Sequence, residues 1–505
     1  MSFHVPVEPQ NLPSLVRERL GDQAYRANVL RATGLSLVKR ARVVTDYRDW
    51  ENMREAAHHI KALVMDHLPT YLREFESQAR AAGAEVLYAE DAAEARRLVV
   101  DICGTHRANL VVKSKSMVTE EIHLGPELTA AGIETLETDL GEYIVQLAGE
   151  IPSHITAPAL HKSRQDIGHL FQKRLGVEYT EDPEQLTAIA RRVLREKFLR
   201  ADVGISGVNF AVADTGAICI VENEGNARLS ISLPKVHIAV MGMEKLLPDT
   251  ASLSLFLKML ARSATGQRMT SYTSLIRGPR RYEEQDGPEK LYIVILDNGR
   301  SRMLKRPELR EALYCIRCGA CLNTCPVYQL IGGHGYGSVY SGPIGAVITP
   351  ALEGCAEAPY HPFASSLCGA CAEICPVKID LHHLLLRQRG NAVQKGRTPW
   401  LERLLVRGWR LIMQSPALYR LAGRIGSCDS WSRWLQIREE TWWSRGGPFK
   451  EPFHRRRAGH SKTFGAEGRS GYERAGKIFQ QSWRGQRGNS AGRGSPPYSR
   501  VERRE

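Results

Sequence analysis

Two cysteine runs constrain this chain more than any other feature. The first is Cys315-Ile-Arg-Cys318-Gly-Ala-Cys321-Leu-Asn-Thr-Cys325-Pro326, and the second is Cys368-Gly-Ala-Cys371-Ala-Glu-Ile-Cys375-Pro376. Two-residue gaps bring three thiolates round one tight loop, and the three-residue gap sends the fourth away. Proline then opens the next segment, where no amide has to be satisfied. This is the spacing with which bacterial proteins hold paired iron–sulfur clusters, the fourth cysteine of each run serving the other run's cluster. On that pattern Cys315, Cys318, Cys321 and Cys375 ligate one cluster, and Cys325, Cys368 and Cys371 ligate a second. The expected cofactors are two iron–sulfur clusters of the four-iron kind, and the expected role is electron transfer. Structural zinc would suit paired C-x2-C motifs, but two linked runs each ending in Cys-Pro exceed what a tetrahedral site needs.

The second run is incomplete, because Ser365 stands three residues before Cys368, where a full run has its first cysteine. Three completions are open: Cys355 from the intervening loop, an oxygen ligand such as Ser365, or a three-iron cluster. Cys103, Cys219 and Cys428 each stand alone in apolar or mixed surroundings and read as small buried hydrophobes. No basic stretch followed by an apolar one succeeds Met1, so the expected setting is the cytoplasm, where thiols stay reduced.

A chain of 505 residues is long enough for several domains and a sizeable core. Its net charge of +14 suggests nucleic acid until the charge is located. Residues 447–505 hold 14 Lys and Arg against 5 Asp and Glu, so this tail carries nine of the fourteen net charges. It also holds ten glycines and few aliphatic residues, the composition of a segment too poor in apolar surface to fold. No nucleic-acid partner is expected. No stretch offers some twenty consecutive apolar residues, so no transmembrane segment is expected either.

The rest divides by periodicity. Residues 1–82 form an N-terminal helical region, with apolar spacing of three and four along Leu12 to Val43 and Trp50 to Ala82. Residues 83–300 alternate strands and helices, the rhythm of an α/β domain. Its strands are expected at Glu85–Ala89, Asn109–Lys113, Val203–Ser206, Val236–Val240 and Leu291–Leu296, with a hairpin around Asp214-Thr215-Gly216. Residues 301–395 form the cluster domain, with 42 residues between the runs and a helix after the second, which favours a helical ferredoxin arrangement. Residues 396–446 hold Trp400, Trp409, Trp431, Trp434, Trp442 and Trp443, for which packing within a helical region is the expected role.

Longer motifs carry a resemblance. Val112-Lys-Ser-Lys-Ser-Met117, Glu137-Thr-Asp-Leu-Gly-Glu-Tyr-Ile144, Pro152-Ser-His-Ile-Thr-Ala-Pro-Ala-Leu-His161, Gly207-Val-Asn-Phe-Ala-Val-Ala-Asp-Thr-Gly216 and the inter-run segment Gly332 to Val347 resemble the lactate utilization iron–sulfur protein B family. The likeness spans roughly residues 15–440. It implies an α/β domain related to the CoA-transferase and sugar-phosphate isomerase folds. It also implies an electron-carrying subunit of a complex that oxidises L-lactate to pyruvate, working with other subunits and an electron acceptor. The seven cysteines named above are the ligands it implies.

A second reading makes the α/β domain an enzyme. Lys113, Ser114, Lys115 and Ser116 follow a strand, where open α/β sheets bind ligands. The lysines would hold a carboxylate or phosphate, with Glu137, Asp139 and Glu142 as acid–base candidates and the clusters as relay. No G-x-G-x-x-G stands between a strand and a helix, which argues against a Rossmann nicotinamide site.

Overall fold

A computed structural model describes residues 12–352, 358–397 and 400–426. Cys355, Cys428, Trp431, Trp434, Trp442, Trp443 and the basic tail lie outside the described residues. Ten strands occur among those described: β1 Glu85–Ala89, β2 Leu110–Lys113, β3 Glu134–Glu137, β4 Val203–Gly207, β5 Phe210–Val212, β6 Ala217–Glu222, β7 Val236–Gly242, β8 Leu246–Leu247, β9 Tyr272–Ile276 and β10 Lys290–Leu296.

Six of them form one parallel sheet in the order β1-β10-β7-β4-β2-β3. Val294 on β10 pairs with Leu87 of the edge strand β1 on one side and Val240 of β7 on the other. These strands read as near-continuous apolar runs because both faces are covered. Alternation assigns Ile293 and Ile295 to one apolar cluster, and Tyr292, Val294 and Leu296 to another. Helices Ala92–Thr105 and Leu124–Ala130 fill the second cluster with Val99, Ile102, Leu124 and Leu128.

The other four strands form a small sheet, β8-β5-β6-β9, containing the expected hairpin of β5 and β6. Gly216 closes that hairpin at φ +66°, and a Cβ there would meet the Ala79 amide at 2.3 Å. The turn therefore needs glycine both for its conformation and for its approach to a helix.

Two expected N-terminal helices become four. The first breaks at Asp22, whose carboxylate accepts the Tyr25 N–H at 2.9 Å and caps Gln23–Val44. The second breaks at His67, before Pro69 in the first turn of Leu68–Ala81. These helices join the first apolar cluster together with strand residues and with Leu322, Tyr328, Val347 and Leu385 from the cysteine region. One core thus runs from the sheet into the cysteine region, within a compact unit ending at Gly408. Residues 301–397 contain short helices and, among those described, no strand.

Trp400 and Trp409 correct the packing expectation for the tryptophans. They are 69% and 59% exposed, on helix Trp400–Gln414. Among the described residues, no helix is long and apolar enough to cross a membrane.

Candidate functional site

The two cysteine runs fold alike. A left-handed residue precedes the second position of each, Arg317 at φ 59° and Leu367 at φ 57°. A left-handed glycine follows it, Gly319 at 75° and Gly369 at 83°. Short helices then begin, Ala320–Thr324 and Ala370–Ile374, which pack on one another. The Arg317 N–H donates to Cys315 Sγ at 3.4 Å, and the Leu367 N–H donates to Ser365 Oγ at 3.1 Å. Ser365 therefore takes in the second run the structural place that Cys315 takes in the first.

The runs also exchange their last cysteine. Cys315, Cys318 and Cys321 line one cavity together with Cys375, which comes from the other run. Burial, followed by the proximity of Cys375 and Cys315, pushes the Cys318 thiol up. Burial likewise pushes Cys375 up to about 11. The Ile379 N–H donates to Cys375 Sγ at 3.4 Å, as Arg317 does to Cys315. Four soft donors, lined up around one cavity with amides aimed at their sulfurs, fit an iron–sulfur cluster in donor chemistry. The remaining three form a second neighbourhood: Cys371 is pushed up to about 12 by burial and then by Cys325, with Cys368 also contributing. Cys368 itself is exposed, and its thiol is lowered by the Ala370 N–H and the Ser366 hydroxyl.

Arginines from the N-terminal helices hold the second run in place. Arg54 donates to the Cys375 carbonyl at 2.9 Å and the Glu373 carbonyl at 2.7 Å, and Arg40 donates to the Ile374 carbonyl at 3.0 Å. These carbonyls lie at the carboxyl end of a five-residue helix, where cations are favoured.

A larger cavity, of about 240 Å³, opens at the carboxyl ends of β2, β4, β7 and β10. Lys115, Asn209, Lys245 and Arg300 come to it from the loops after those strands, and Arg317 and Tyr340 from the cysteine region. Glu244 anchors its wall. It is buried, accepts from Arg300 Nε at 2.6 Å, and lies 3.6 Å from Arg317 Nη2. Burial alone would raise its pKa, but Arg300, Arg317 and Lys245 hold it at about 2. Gly242 permits this packing, since a Cβ there would lie 2.1 Å from Glu244 Oε2.

Lys113 does not take the anion-holding role expected of it. It is buried and paired with Glu137 at 2.8 Å and Glu120 at 3.0 Å. Burial keeps Glu142 protonated well above the usual carboxylate range, with Glu120 and Glu137 adding to the effect. Asp139 caps helix Leu140–Ala148 by accepting the Glu142 N–H at 3.1 Å. Of the expected group, Ser114, Lys115, Ser116 and Asp139 reach the cavity.

Residues 72–296 match the LUD domain family, and residues 311–379 match the 4Fe-4S dicluster domain family. Over 411 residues the chain is 47% identical to Lactate utilization protein B of Bacillus velezensis, covering 81% of this chain and 86% of that one. Proteins of the same name from Bacillus cereus (strain AH820) and Bacillus thuringiensis (strain Al Hakam) are 46% identical over the same shares. The chain belongs to the lactate utilization protein B family. Its C-terminal domain is accordingly an iron–sulfur, metal-binding domain behind an α/β LUD domain with a parallel sheet. A crystal structure of a DUF162 family protein from Deinococcus radiodurans aligns with 45% of this chain and 98% of its own, at 15% identity and a TM-score of 0.27.

Two of the family's motifs turn out to join its domains. In Pro152–His161, the Ser153 carbonyl accepts from Tyr328 Oη at 2.6 Å, and His154 Nε2 lies 3.1 Å from Asn323 Oδ1. In the inter-run segment, a Cβ on Gly333 would lie 1.9 Å from the Ser153 carbonyl, and Tyr340 Oη donates to Glu121 at 2.7 Å. Sequence reasoning missed Arg317, Lys245 and Glu244. Arg317 had a signal, as the one charged residue between cysteines of the first run, whereas the other two looked like ordinary loop charges.

Proposed function

We propose that this chain carries two iron–sulfur clusters and serves as the electron-transfer subunit of a complex oxidising L-lactate to pyruvate. Cys315, Cys318, Cys321 and Cys375 hold the first cluster. Cys325, Cys368 and Cys371 hold the second, with the Ser365 oxygen at its fourth corner. The observation that carries this reading is the single cavity lined by three cysteines of one run and the last cysteine of the other. When bound, such clusters accept and release one electron at a time. The protein's own part is to bury the first group, aim the Arg317 and Ile379 amides at its sulfurs, and brace Cys375 through Arg54.

The cysteine region, without a strand among its described residues, supports a helical ferredoxin arrangement, and the six-stranded parallel sheet supports an α/β domain of the CoA-transferase and sugar-phosphate isomerase kind. A cytoplasmic location belongs to the same reading. Lactate oxidation needs a group that takes a hydride or an electron pair from the substrate carbon. The sequence carries no flavin or nicotinamide signature, so partner subunits supply that group and a separate acceptor takes the electrons. Family membership does not favour catalysis in the α/β domain, where Glu137 and Asp139 are committed to an ion pair and a helix cap.

The test is reconstitution. Cys318→Ala should abolish electron flow through the complex while leaving the α/β domain folded, and the isolated chain should not oxidise L-lactate. Robust lactate-dependent dye reduction by the purified chain, without other proteins or added cofactors, would overturn the carrier assignment.

A further inference from the structure

We propose that the 240 Å³ cavity binds a small organic monocarboxylate, with Arg317 and Lys245 as the groups that hold its carboxylate. The volume falls below the roughly 300–1,000 Å³ of pockets for drug-sized ligands and suits a molecule of a few carbons. The cavity lies at the carboxyl ends of parallel strands, where open α/β sheets place their ligands.

Arg317 carries the inference. Its backbone sits in the left-handed region at φ 59°, uncommon for a residue with a side chain. In that conformation its N–H serves Cys315 Sγ while its guanidinium lines the cavity. The side chain is only 10% exposed and rests against the Tyr340 ring, 4.7 Å from the centroid. Its one carboxylate neighbour is Glu244 at 3.6 Å, which Arg300 already engages at 2.6 Å. Nη1 is buried with no hydrogen-bond partner. Leaving such a donor unmet is costly, and a planar guanidinium fork matches a carboxylate.

Lys245 also lines the cavity and forms no hydrogen bond or ion pair with another described residue. Arg300, Arg317, Lys245 and the buried Lys61 thus stand around two buried carboxylates, Glu121 and Glu244, so cations outnumber the buried carboxylates here. A thiolate at Cys315 offsets part of that excess but gives Nη1 no acceptor. Elsewhere the lining includes Asp139, Glu222 and Glu224, which disfavour a second acidic group on the ligand. A monocarboxylate with a short polar body satisfies both conditions.

The site itself does not depend on the electron-transfer reading, but one of its readouts does. An anion on Arg317 lies beside the Cys315 loop and makes an electron arriving there less favourable. By reciprocity, the ligand binds more weakly once that electron has arrived.

The experiment is calorimetry on anaerobically prepared, iron-replete full chain. The probes are L-lactate, pyruvate, succinate, inorganic phosphate and uncharged lactamide. At least one monocarboxylate should bind saturably at one site, succinate and phosphate roughly tenfold or more weaker, and lactamide not at all. Lys245→Gln should weaken binding about tenfold with iron content unchanged, and Arg317→Gln should weaken it at least as much. The bound monocarboxylate should lower the midpoint potential of the first-run cluster in wild type. Absence of saturable binding by both monocarboxylates, tighter binding of phosphate or succinate, or unchanged affinity in iron-replete Lys245→Gln would overturn the site. Failure of the cluster assignment would appear separately, as missing iron with carboxylate binding intact.

Discussion

The Cys315 run and the Cys368 run share a backbone and differ in surroundings. Their left-handed residues correspond one to one, and the same amide reaches Cys315 in the first and Ser365 in the second. Around the first group, Cys318, Cys321 and Cys375 are buried, Arg54 braces the Cys375 carbonyl, and Arg317 faces the adjoining cavity. Around the second, Cys368 is exposed and a hydroxyl replaces a thiol. The loop conformation fixes where donors stand, while the packing fixes how far each is from water. One motif used twice thereby gives one cysteine group an interior setting beside the α/β domain and leaves Cys368 of the other open to solvent.

The crossing of the runs is where this comparison breaks most visibly. Cys375→Ser should remove the buried cluster and about half of the bound iron, although the residue belongs to the second run. Iron analysis with EPR checks this, and loss of only the signal tied to Cys368 and Cys371 would refute the crossing.

Thiol reactivity in metal-free chain should separate the groups next. Cys368 is exposed and lowered by the Ala370 amide and then the Ser366 hydroxyl, whereas burial pushes Cys375 up to about 11. Near pH 8, iodoacetamide should label Cys368 at least tenfold faster, as judged by mass spectrometry. Raising the pH to 9 should leave Cys375 still largely protonated and the order of labelling unchanged.

Arg54→Ala should cost about 2 kcal/mol in unfolding free energy, the scale of lost charged hydrogen bonds to buried acceptors. Urea unfolding measures the loss, and iron release should speed up from the Cys375 group before the Cys368 group.

Ser365→Cys should have the smallest effect, sharpening the contrast without altering the fold. Because Ser365 already occupies the position of Cys315, a thiol there should make the outer cluster more persistent in air, read as slower growth of a three-iron EPR signal. Equal lability of Ser365→Cys and wild type would show that the position does not face the cluster.

Local features were the legible ones. Strand Glu85–Ala89 has its expected bounds because its pattern and the turns beside it are local. The cysteine loops were legible for the same reason, since spacing alone dictates which thiols share a turn. Long-range placement was not legible. Lys113 reads as a charged residue ending a strand, and nothing nearby in sequence reveals that Glu137 neutralises it from the neighbouring strand. Arg54 reads as one more charge on an amphipathic helix, although the carbonyls it braces lie more than 300 residues away. The cavity needed both domains in place, because its walls come from strand ends and from a residue inside a cysteine run.

The most direct test of the central claim is iron and acid-labile sulfide analysis, with EPR, of full chain purified without oxygen after iron-replete expression. Two clusters require about seven to eight iron atoms per chain, with reduced-state signals from two magnetically distinct centres. Stoichiometric zinc and no iron in protein prepared that way would contradict it.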